Sequence, residues 1–216
     1  MAQRLLIPWE IQVIMTKAIH VWFDFASTYS YPAVMRATQL AAANDILLHW
    51  RPFMLGVIFK QQGWNDSPFN LYPPKGRYMW RDMERLCAAQ GIPFHKPTQF
   101  PRNGLLAGRI ACLSQDAPWI TAFIQAVYRA NFVHDQDIAD TTVIGDILHQ
   151  LNVDSQGVIT RAASEESKQK FRDQTGQAVE LGIFGSPTFM IGDEMFWGGD
   201  RLAEALDFAM GRYSRL

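Results

Sequence analysis

The sequence is poor in cysteine and carries no excess of one charge. Only Cys87 and Cys112 occur among 216 residues, too few for a disulfide framework, so we expect a reducing, cytoplasmic compartment. The 20 Lys and Arg residues balance 21 Asp and Glu residues to a net charge of −1. This balance argues against nucleic acid as the main partner, because phosphates select strongly basic surfaces. No apolar run approaches the ~18 residues of a membrane-spanning helix, so we predict no membrane partner.

Two common catalytic patterns are also missing. The five histidines show no metal-ligand spacing and no neighbouring cysteine, so we predict no metal site. The chain has no G-x-S-x-G motif, which argues against a serine hydrolase. Any chemistry must therefore come from other combinations of residues.

Large apolar side chains, in contrast, are abundant. Hydrophobic residues make up 48% of the chain and include 7 Trp, 14 Phe and 9 Met. Such a supply builds a large core, and it also suits an apolar pocket for a flat organic ligand. Composition alone leaves both interpretations open.

The first 16 residues need a separate interpretation. They resemble a secretion signal only weakly, because Pro8, Glu10 and Gln12 interrupt the apolar region and no small-residue cleavage site follows. We therefore predict that residues 1–16 are an N-terminal extension ahead of the folded domain.

Both ends of the remaining chain show α/β patterns. Residues 18–25 place apolar side chains at every second position, which predicts a buried strand. A hydroxyl-rich turn and an Ala-rich stretch predict a helix to residue 43, and residues 46–50 predict a parallel strand. Near the C-terminus, residues 188–191 and 194–197 predict a hairpin, followed by a helix over 201–210.

The middle of the chain is helical in pattern. Residues 56–74 predict a long loop, because Gly, Asn and Pro recur there. Predicted helices follow near residues 77–90, 105–114, 119–132, 141–151 and 164–181. The complete order predicts a thioredoxin-like α/β fold (β-α-β … β-β-α) that an all-helical insertion interrupts. We assign residues 17–60 and 182–216 to the thioredoxin-like domain and residues 61–181 to the insertion domain.

The turn Ser27-Thr28-Tyr29-Ser30 is the first candidate site. It joins the end of a strand to the start of a helix, where free N–H groups stabilise an anion, including a thiolate. Simple helix capping by Ser or Thr is an alternative. A dithiol oxidoreductase places cysteine at positions equivalent to 27 and 30, and both are serine here. A thiol that acts at this turn must therefore come from another molecule.

Two further segments are candidates for ligand contacts. Ser186-Pro187 precedes a predicted strand, where a cis bond would leave the backbone of Ser186 free to pair with an extended peptide. An ordinary trans proline is the alternative. Gly199-Asp200-Arg201 opens a helix, where N–H groups favour a carboxylate and Asp200 favours an ammonium. Helix capping by Asp200 beside a surface arginine is the alternative here.

Five segments across residues 18–211 resemble the 2-hydroxychromene-2-carboxylate isomerases, and they occur in the order of that family: FDFASTYSYPA, RPFMLGVIFKQQGWN, YPPKGRYMWRDMERLC, GIFGSPTFMIG and MFWGGDRL. These enzymes form part of the DsbA-like branch of the thioredoxin superfamily and are close to the kappa-class glutathione transferases. The resemblance implies glutathione as the cofactor, a small aromatic carboxylate as the substrate and a homodimer.

The resemblance also implies roles for individual residues. Ser27 would be the catalytic serine that meets the glutathione sulfur, with Thr28 and Tyr29 beside it. Ser186, ahead of a cis Pro187, would bind the cysteinyl backbone of glutathione.

Other implied contacts lie further along the chain. Gly199, Asp200 and Arg201 match the segment that binds the γ-glutamyl end. Asn65, after Lys60, resembles a family element that contacts the cofactor, and we expect Lys60 or a nearby arginine to meet the substrate carboxylate. Two positions depart from the family pattern: Thr28 replaces a proline, and Trp64 separates Gly63 from Asn65.

The function implied is a glutathione-dependent isomerisation. The thiolate would add reversibly to an aromatic enone acid of the kind met in aromatic catabolism, with Ser27 as a hydrogen-bond donor. Two alternatives remain: a kappa-class-like glutathione S-transferase and a noncatalytic thioredoxin-fold module that binds peptides beside Pro187.

Overall fold

The structure is a computed structural model, and it describes residues 17–212. The predicted N-terminal extension, residues 1–16, lies outside the described residues. Among the described helices, none combines the length and apolarity that a membrane crossing requires.

A four-stranded sheet forms the centre of the fold. Its strands are β1 (Ala18–Phe23), β2 (Leu47–Pro52), β3 (Thr188–Ile191) and β4 (Glu194–Trp197), in the order β2-β1-β3-β4. Helix α1 (Ser30–Ala42) connects β1 to the parallel strand β2. Strand β3 is antiparallel to both β1 and β4. The predicted βαβ unit and C-terminal hairpin are therefore confirmed.

Both faces of β1 are buried. Ile19, Val21 and Phe23 are fully buried in a large core that includes residues of α1 and of the C-terminal helix α10 (Leu202–Ala209). On the opposite face, Trp22 packs edge-on against Phe53 in a smaller cluster. The near-continuous apolar sequence of β1 is typical of such a central strand.

The predicted first strand extends two residues too far. Strand β1 ends at Phe23, because the carbonyl of Asp24 accepts hydrogen bonds from the Ser27 N–H at 3.0 Å and the Tyr128 hydroxyl at 2.8 Å. These bonds replace the strand ladder and begin the turn that leads to α1.

Eight helices lie between β2 and β3. They are α2 (Leu55–Gln61), α3 (Pro68–Leu71), α4 (Pro73–Ala89), α5 (Leu105–Leu113), α6 (Ile120–Phe132), α7 (Thr141–Gln150), α8 (Ser155–Ala163) and α9 (Glu165–Glu180). The five predicted helices correspond to α4, α5, α6, α7 and α9. Buried residues of α4 to α8 belong to the same core as β1, while the division into two domains stays a prediction.

The predicted long loop over residues 56–74 is wrong. It contains most of α2, all of α3 and the first residues of α4. Pro68 and Pro73 stand in the first turns of α3 and α4, where proline costs no hydrogen bond, and the Ser67 hydroxyl caps α3 by accepting the Phe69 N–H at 3.3 Å. The prolines that suggested a loop therefore begin helices.

Helix α8 was not predicted at all. The Asp154 carboxylate caps it by accepting the Gly157 N–H at 3.0 Å. Aspartate ahead of a short segment is a weak signal by itself, because it serves in turns as often as at helix starts.

Candidate functional site

A buried carboxylate, that of Asp24, holds the turn between β1 and α1 through hydrogen bonds. Asp24 is 8% exposed, and its two oxygens accept the Ala26 N–H at 2.7 Å and the Leu55 N–H at 2.8 Å. Burial raises the pKa of Asp24, and these two hydrogen bonds oppose that rise. Asp24 thereby connects the candidate catalytic turn to the start of α2.

The same turn is hydrogen-bonded to the segment before β3. The Ser27 hydroxyl donates to the Ser186 carbonyl at 3.0 Å, and the Ser30 and Ser186 hydroxyls lie 2.7 Å apart. The Ser186 hydroxyl also accepts the Asp24 N–H at 3.0 Å. The Ser186–Pro187 peptide bond is cis, as predicted. Residues 159 positions apart in sequence are thus held in direct contact.

The two residues after Ser27 point in different directions. Thr28 is 1% exposed, and its hydroxyl donates to the Met79 sulfur at 3.1 Å, so its side chain contacts α4. The Tyr29 hydroxyl donates to Asp82 at 3.1 Å. Burial and the neighbouring Asp82 raise the pKa of Tyr29, so its phenol stays protonated.

A cleft of about 840 Å³ opens beside this turn. Its walls come from α1, from α4 and from the segments around the cis bond and the start of the C-terminal helix. The lining residues are Tyr29, Pro32, Ala33, Arg36, Asp82, Leu86, Gln90, Ser186, Pro187, Trp197, Gly198, Gly199, Asp200 and Arg201. Six residues from the predicted site line it: Tyr29, Ser186, Pro187, Gly199, Asp200 and Arg201. Ser27 is joined to the lining through its bond to Ser186.

Two glycines let the C-terminal segment approach α1. Gly198 has a φ of 106°, a conformation that side chains disfavour. A methyl group at Gly199 would lie 3.3 Å from the Ala33 Cβ and 3.6 Å from the Tyr29 carbonyl oxygen. Glycine at both positions therefore brings Asp200 and Arg201 to the wall of the cleft.

The charged pair at this wall is exposed and internally matched. The Arg201 guanidinium lies 3.2 Å from the Asp200 carboxylate and 2.6 Å from the Glu204 carboxylate. The hydrogen bonds found for the Asp200 carboxylate come from the Arg201 guanidinium and not from backbone N–H groups, so these contacts do not support the capping interpretation of Asp200.

Lys60 and Asn65 do not line the cleft. Lys60 is exposed in the last turn of α2, and Asn65 is exposed four residues beyond the end of that helix. Their predicted contacts with glutathione or substrate stay predictions.

Eight residues of the cleft lining are absent from the predicted site: Pro32, Ala33, Arg36, Asp82, Leu86, Gln90, Trp197 and Gly198. Arg36 follows Tyr29, Pro32 and Ala33 at the spacing of one helix face, a signal that was present in the sequence. Asp82 carried no such signal, because only the packing of α4 brings it to α1.

Neither cysteine lines the cleft. Cys87 and Cys112 are free and buried, and burial raises the pKa of the Cys87 thiol to about 11. Burial also raises the pKa of Cys112. Within residues 17–212, no cluster of His, Cys, Asp and Glu is arranged to hold a metal ion.

Comparison with known proteins places this geometry among related chains. A family model described as DSBA-like thioredoxin domain matches residues 18–208. A 2-hydroxychromene-2-carboxylate isomerase of Sphingobium xenophagum is 28% identical, over 87% of this chain and 95% of its own. A Caenorhabditis elegans glutathione S-transferase kappa 2 is 24% identical, over 89% and 91%.

A solved structure is similar over the same length. A 2-hydroxychromene-2-carboxylate isomerase superposes with a TM-score of 0.81 at 26% identity, covering 90% of this chain and 95% of the other. These similarities confirm the predicted thioredoxin-like fold class, the resemblance to this group of isomerases and the assignment as an enzyme.

Proposed function

Because the chain belongs to the family of DSBA-like thioredoxin domains, we propose that it binds glutathione and isomerises 2-hydroxychromene-2-carboxylate or a similar aromatic enone acid. The proposal rests on one observation above all. The α1 turn carries serine at positions 27 and 30, is hydrogen-bonded to a cis-proline segment, and faces a cleft without any cysteine. The reactive sulfur must therefore arrive with a ligand.

The start of α1 favours a bound thiolate. The first turn of α1 has no acidic residue, and its N-cap residue, Tyr29, makes no side-chain capping bond. No side-chain charge in this first turn offsets the positive end of the helix dipole, which therefore lowers the pKa of a thiol bound there from its usual ~8.5.

Ser27 acts as a hydrogen-bond donor that changes partner. Its single proton now goes to the Ser186 carbonyl, while its oxygen accepts the Ser30 N–H at 3.3 Å. Rotation about the Cβ–Oγ bond redirects that proton to a thiolate. The Ser186 carbonyl is then free to accept the cysteinyl N–H of glutathione, so one rotation prepares both contacts.

The reaction consumes no glutathione. The hemiketal of the chromene acid first opens: the ring C–O bond breaks, the hydroxyl proton passes to the phenol oxygen, and the hemiketal carbon becomes a ketone conjugated to the double bond. The thiolate then adds to the far carbon of this enone, forming a C–S bond while the electron pair of the double bond moves to the ketone oxygen. The former double bond is now single and rotates. The enolate electrons then re-form the double bond as the C–S bond breaks, which returns the thiolate and releases the isomer.

An aromatic pair beside the cleft supports a flat substrate. The Phe184 and Trp197 rings are edge-to-face with centroids 4.8 Å apart, and they remain 46% and 52% exposed. Trp197 also lines the cleft. Exposed rings of this kind offer an apolar surface for an aromatic ligand.

The experiment supplies the chromene acid with and without glutathione, separates the products from the substrate by chromatography and measures the mass of each. We expect a product of the same mass as the substrate, formed only when glutathione is present. A product that retains the glutathionyl group would favour the kappa-type transferase, which the 24% identical kappa relative supports as the second candidate. No binding of millimolar glutathione would favour a noncatalytic peptide-binding module.

The proposal includes the predicted cytoplasmic location and homodimer. A reducing compartment keeps glutathione as the free thiol, which the mechanism requires. Sedimentation of the purified protein measures its oligomeric state directly.

A further inference from the structure

The charged residues of the cleft are not all matched. Asp82 pairs with Arg85 at 3.0 Å and accepts the Tyr29 hydroxyl. Asp200 pairs with Arg201, which also pairs with Glu204. Arg36 forms no ion pair with any carboxylate in the described part of the chain. Arg36 therefore lines the cleft with a charge that no carboxylate of the described residues neutralises.

Arg36 lies on the same face of α1 as the contacts of Gly199. Tyr29, Ala33 and Arg36 follow one another at four- and three-residue spacing, so they share one side of the helix. Gly199 packs against Tyr29 and Ala33. Arg36 lies one turn beyond Ala33, about 9 Å along the helix axis from Ser30, and both Arg36 and Asp200 line the cleft.

This distance fits the γ-glutamyl arm of glutathione. Roughly 7 Å, about two residue lengths, separates the cysteinyl Cα of glutathione from the Cα that carries its ammonium and α-carboxylate. With the sulfur at the start of α1, that amino acid group extends along the cleft past the segment of Gly199 and Asp200 toward Arg36. A cation and an anion together match a zwitterion.

We propose that Arg36 binds the α-carboxylate of the γ-glutamyl residue of glutathione, while Asp200 binds the neighbouring ammonium. This inference rests on the proposed function. The resemblance gives this end of glutathione to Gly199, Asp200 and Arg201, but the Arg201 guanidinium is already paired with two carboxylates. A planar guanidinium binds a carboxylate through two parallel hydrogen bonds, which makes arginine the suitable cation.

The carboxylate of the aromatic substrate is a less suitable partner for Arg36. The substrate bonds to the sulfur at the start of α1, so its acid group stays within a few bonds of Ser27. Arg36 lies almost two helical turns further along. The substrate carboxylate therefore stays near Ser27, and Arg36 is left for the α-carboxylate of glutathione.

The test compares two ligands by calorimetry at fixed salt: glutathione and 4-aminobutyryl-cysteinyl-glycine, which lacks only the α-carboxylate. We expect the wild-type protein to bind glutathione about tenfold or more tightly than the analogue. Arg36→Met should remove that preference, and Arg36→Lys should retain part of it. Arg172→Met, which removes an exposed arginine of α9, is the matched control and should change neither Kd.

Two results would overturn the inference and leave the proposed function intact. One is an equal loss of affinity for both ligands in Arg36→Met, which indicates a structural role. The other is an unchanged glutathione Kd with a raised KM for the aromatic acid, which assigns Arg36 to the substrate. If Arg36→Met does not fold, an absence of preference between the ligands in the wild type overturns it. Failure of the wild type to bind glutathione overturns the proposed function as well.

Discussion

At the scale of single residues, Ser27 carries the proposed chemistry as a donor and not as a nucleophile. Its hydroxyl has one proton, which it donates to the Ser186 carbonyl at 3.0 Å. Removal of the hydroxyl therefore leaves the thiolate without one donor, while the N–H groups of α1 and the Ser186 backbone still bind glutathione.

We expect Ser27→Ala to lower kcat by about 10²–10³-fold, the usual effect of losing one donor to a developing anion. The Kd of glutathione should change little, and the pKa of the bound thiol, measured by ultraviolet absorbance, should rise. Ser67→Ala, which removes a capping hydroxyl of α3, is the control. An unchanged kcat and thiol pKa in Ser27→Ala would exclude Ser27 from the mechanism.

Asp200 should govern affinity for glutathione and not stability. Asp200→Asn removes one charge-assisted bond to the ammonium, so we expect the glutathione KM to rise about tenfold with kcat at saturation retained. Glu204→Gln, which removes the other partner of Arg201, is the control. A lower melting temperature with a normal KM would instead identify Asp200 as a helix cap.

Contiguous motifs explain which site residues the sequence predicted. Ser186-Pro187 and Gly199-Asp200-Arg201 each form part of one turn, so local rules are enough to single them out, and both segments line the cleft. The direction of Thr28 depends on Met79, which lies 51 residues away, and no local rule contains that contact. The same holds for Asp82, whose position depends on how α4 packs against α1.

At the scale of elements, periodicity predicted the strands and the long helices. The prolines of residues 56–74, in contrast, led to the wrong prediction of a loop. The alternation of β1 and β3 and the helical spacing of α6 and α7 survive in the fold, because burial of one face decides them. In residues 56–74, prolines occupy the first turns of α3 and α4, where the backbone nitrogen needs no hydrogen bond. Composition alone does not distinguish a proline that begins a helix from one in a loop.

The parallel register of β1 and β2 creates a feature that neither strand predicts. It places His20 opposite His49, with ring centroids 4.9 Å apart, and Arg51 donates to the His20 Nδ1 at 3.1 Å. That bond requires a neutral imidazole. Burial, together with Arg51 and His49, lowers the pKa of His20 from 6.5 to about 4.

The free energy of unfolding should therefore depend on the protonation of His20. Between pH 6.5 and about pH 4, the unfolded chain binds a proton that folded His20 does not, so stability falls as the pH falls through this window. From about pH 7.5 to about pH 5, we expect a loss of about 1 kcal/mol from this residue, since its partial exposure reduces the effect.

Urea unfolding of His20→Gln at the two pH values measures that contribution. The variant should lose less stability on acidification than the wild type by about 1 kcal/mol. His134→Gln, which replaces an exposed histidine, should behave like the wild type. An identical pH dependence in His20→Gln would show that His20 is not the group responsible.

At the scale of the whole molecule, one core unites the sheet with the inserted helices. The order of strands predicted the thioredoxin-like class, because βαβ and ββα units have few ways to share one sheet. How the inserted helices pack against the sheet depends instead on contacts between side chains of distant segments. Phe23, Phe25 and Tyr128, for example, pack their rings within 6.2 Å of one another. No periodicity within one segment predicts such contacts.

This architecture implies that two side chains decide which sulfur chemistry the fold performs. Ser27 is partly exposed and Ser30 is buried, the arrangement of an attacking and a resolving position. The Cα atoms of two residues three apart in a helical turn are roughly 5 Å apart, within the Cα–Cα range of a disulfide. Cysteines at the start of α1 would also have lowered pKa values.

We therefore expect the double variant Ser27→Cys with Ser30→Cys to lose the glutathione-dependent isomerisation and to gain dithiol–disulfide exchange. In that exchange the variant dithiol is oxidised to a disulfide, and the substrate disulfide is reduced to two thiols. Reduction of a protein disulfide with a thiol reductant as the electron source measures the gain. Ser27→Cys alone should stop at a mixed disulfide, because it lacks the resolving thiol.

Cys87 and Cys112 are buried with raised pKa values, so the wild type should show no such activity. Equal exchange activity in the wild type and the double variant would contradict the dependence of the chemistry on these two positions.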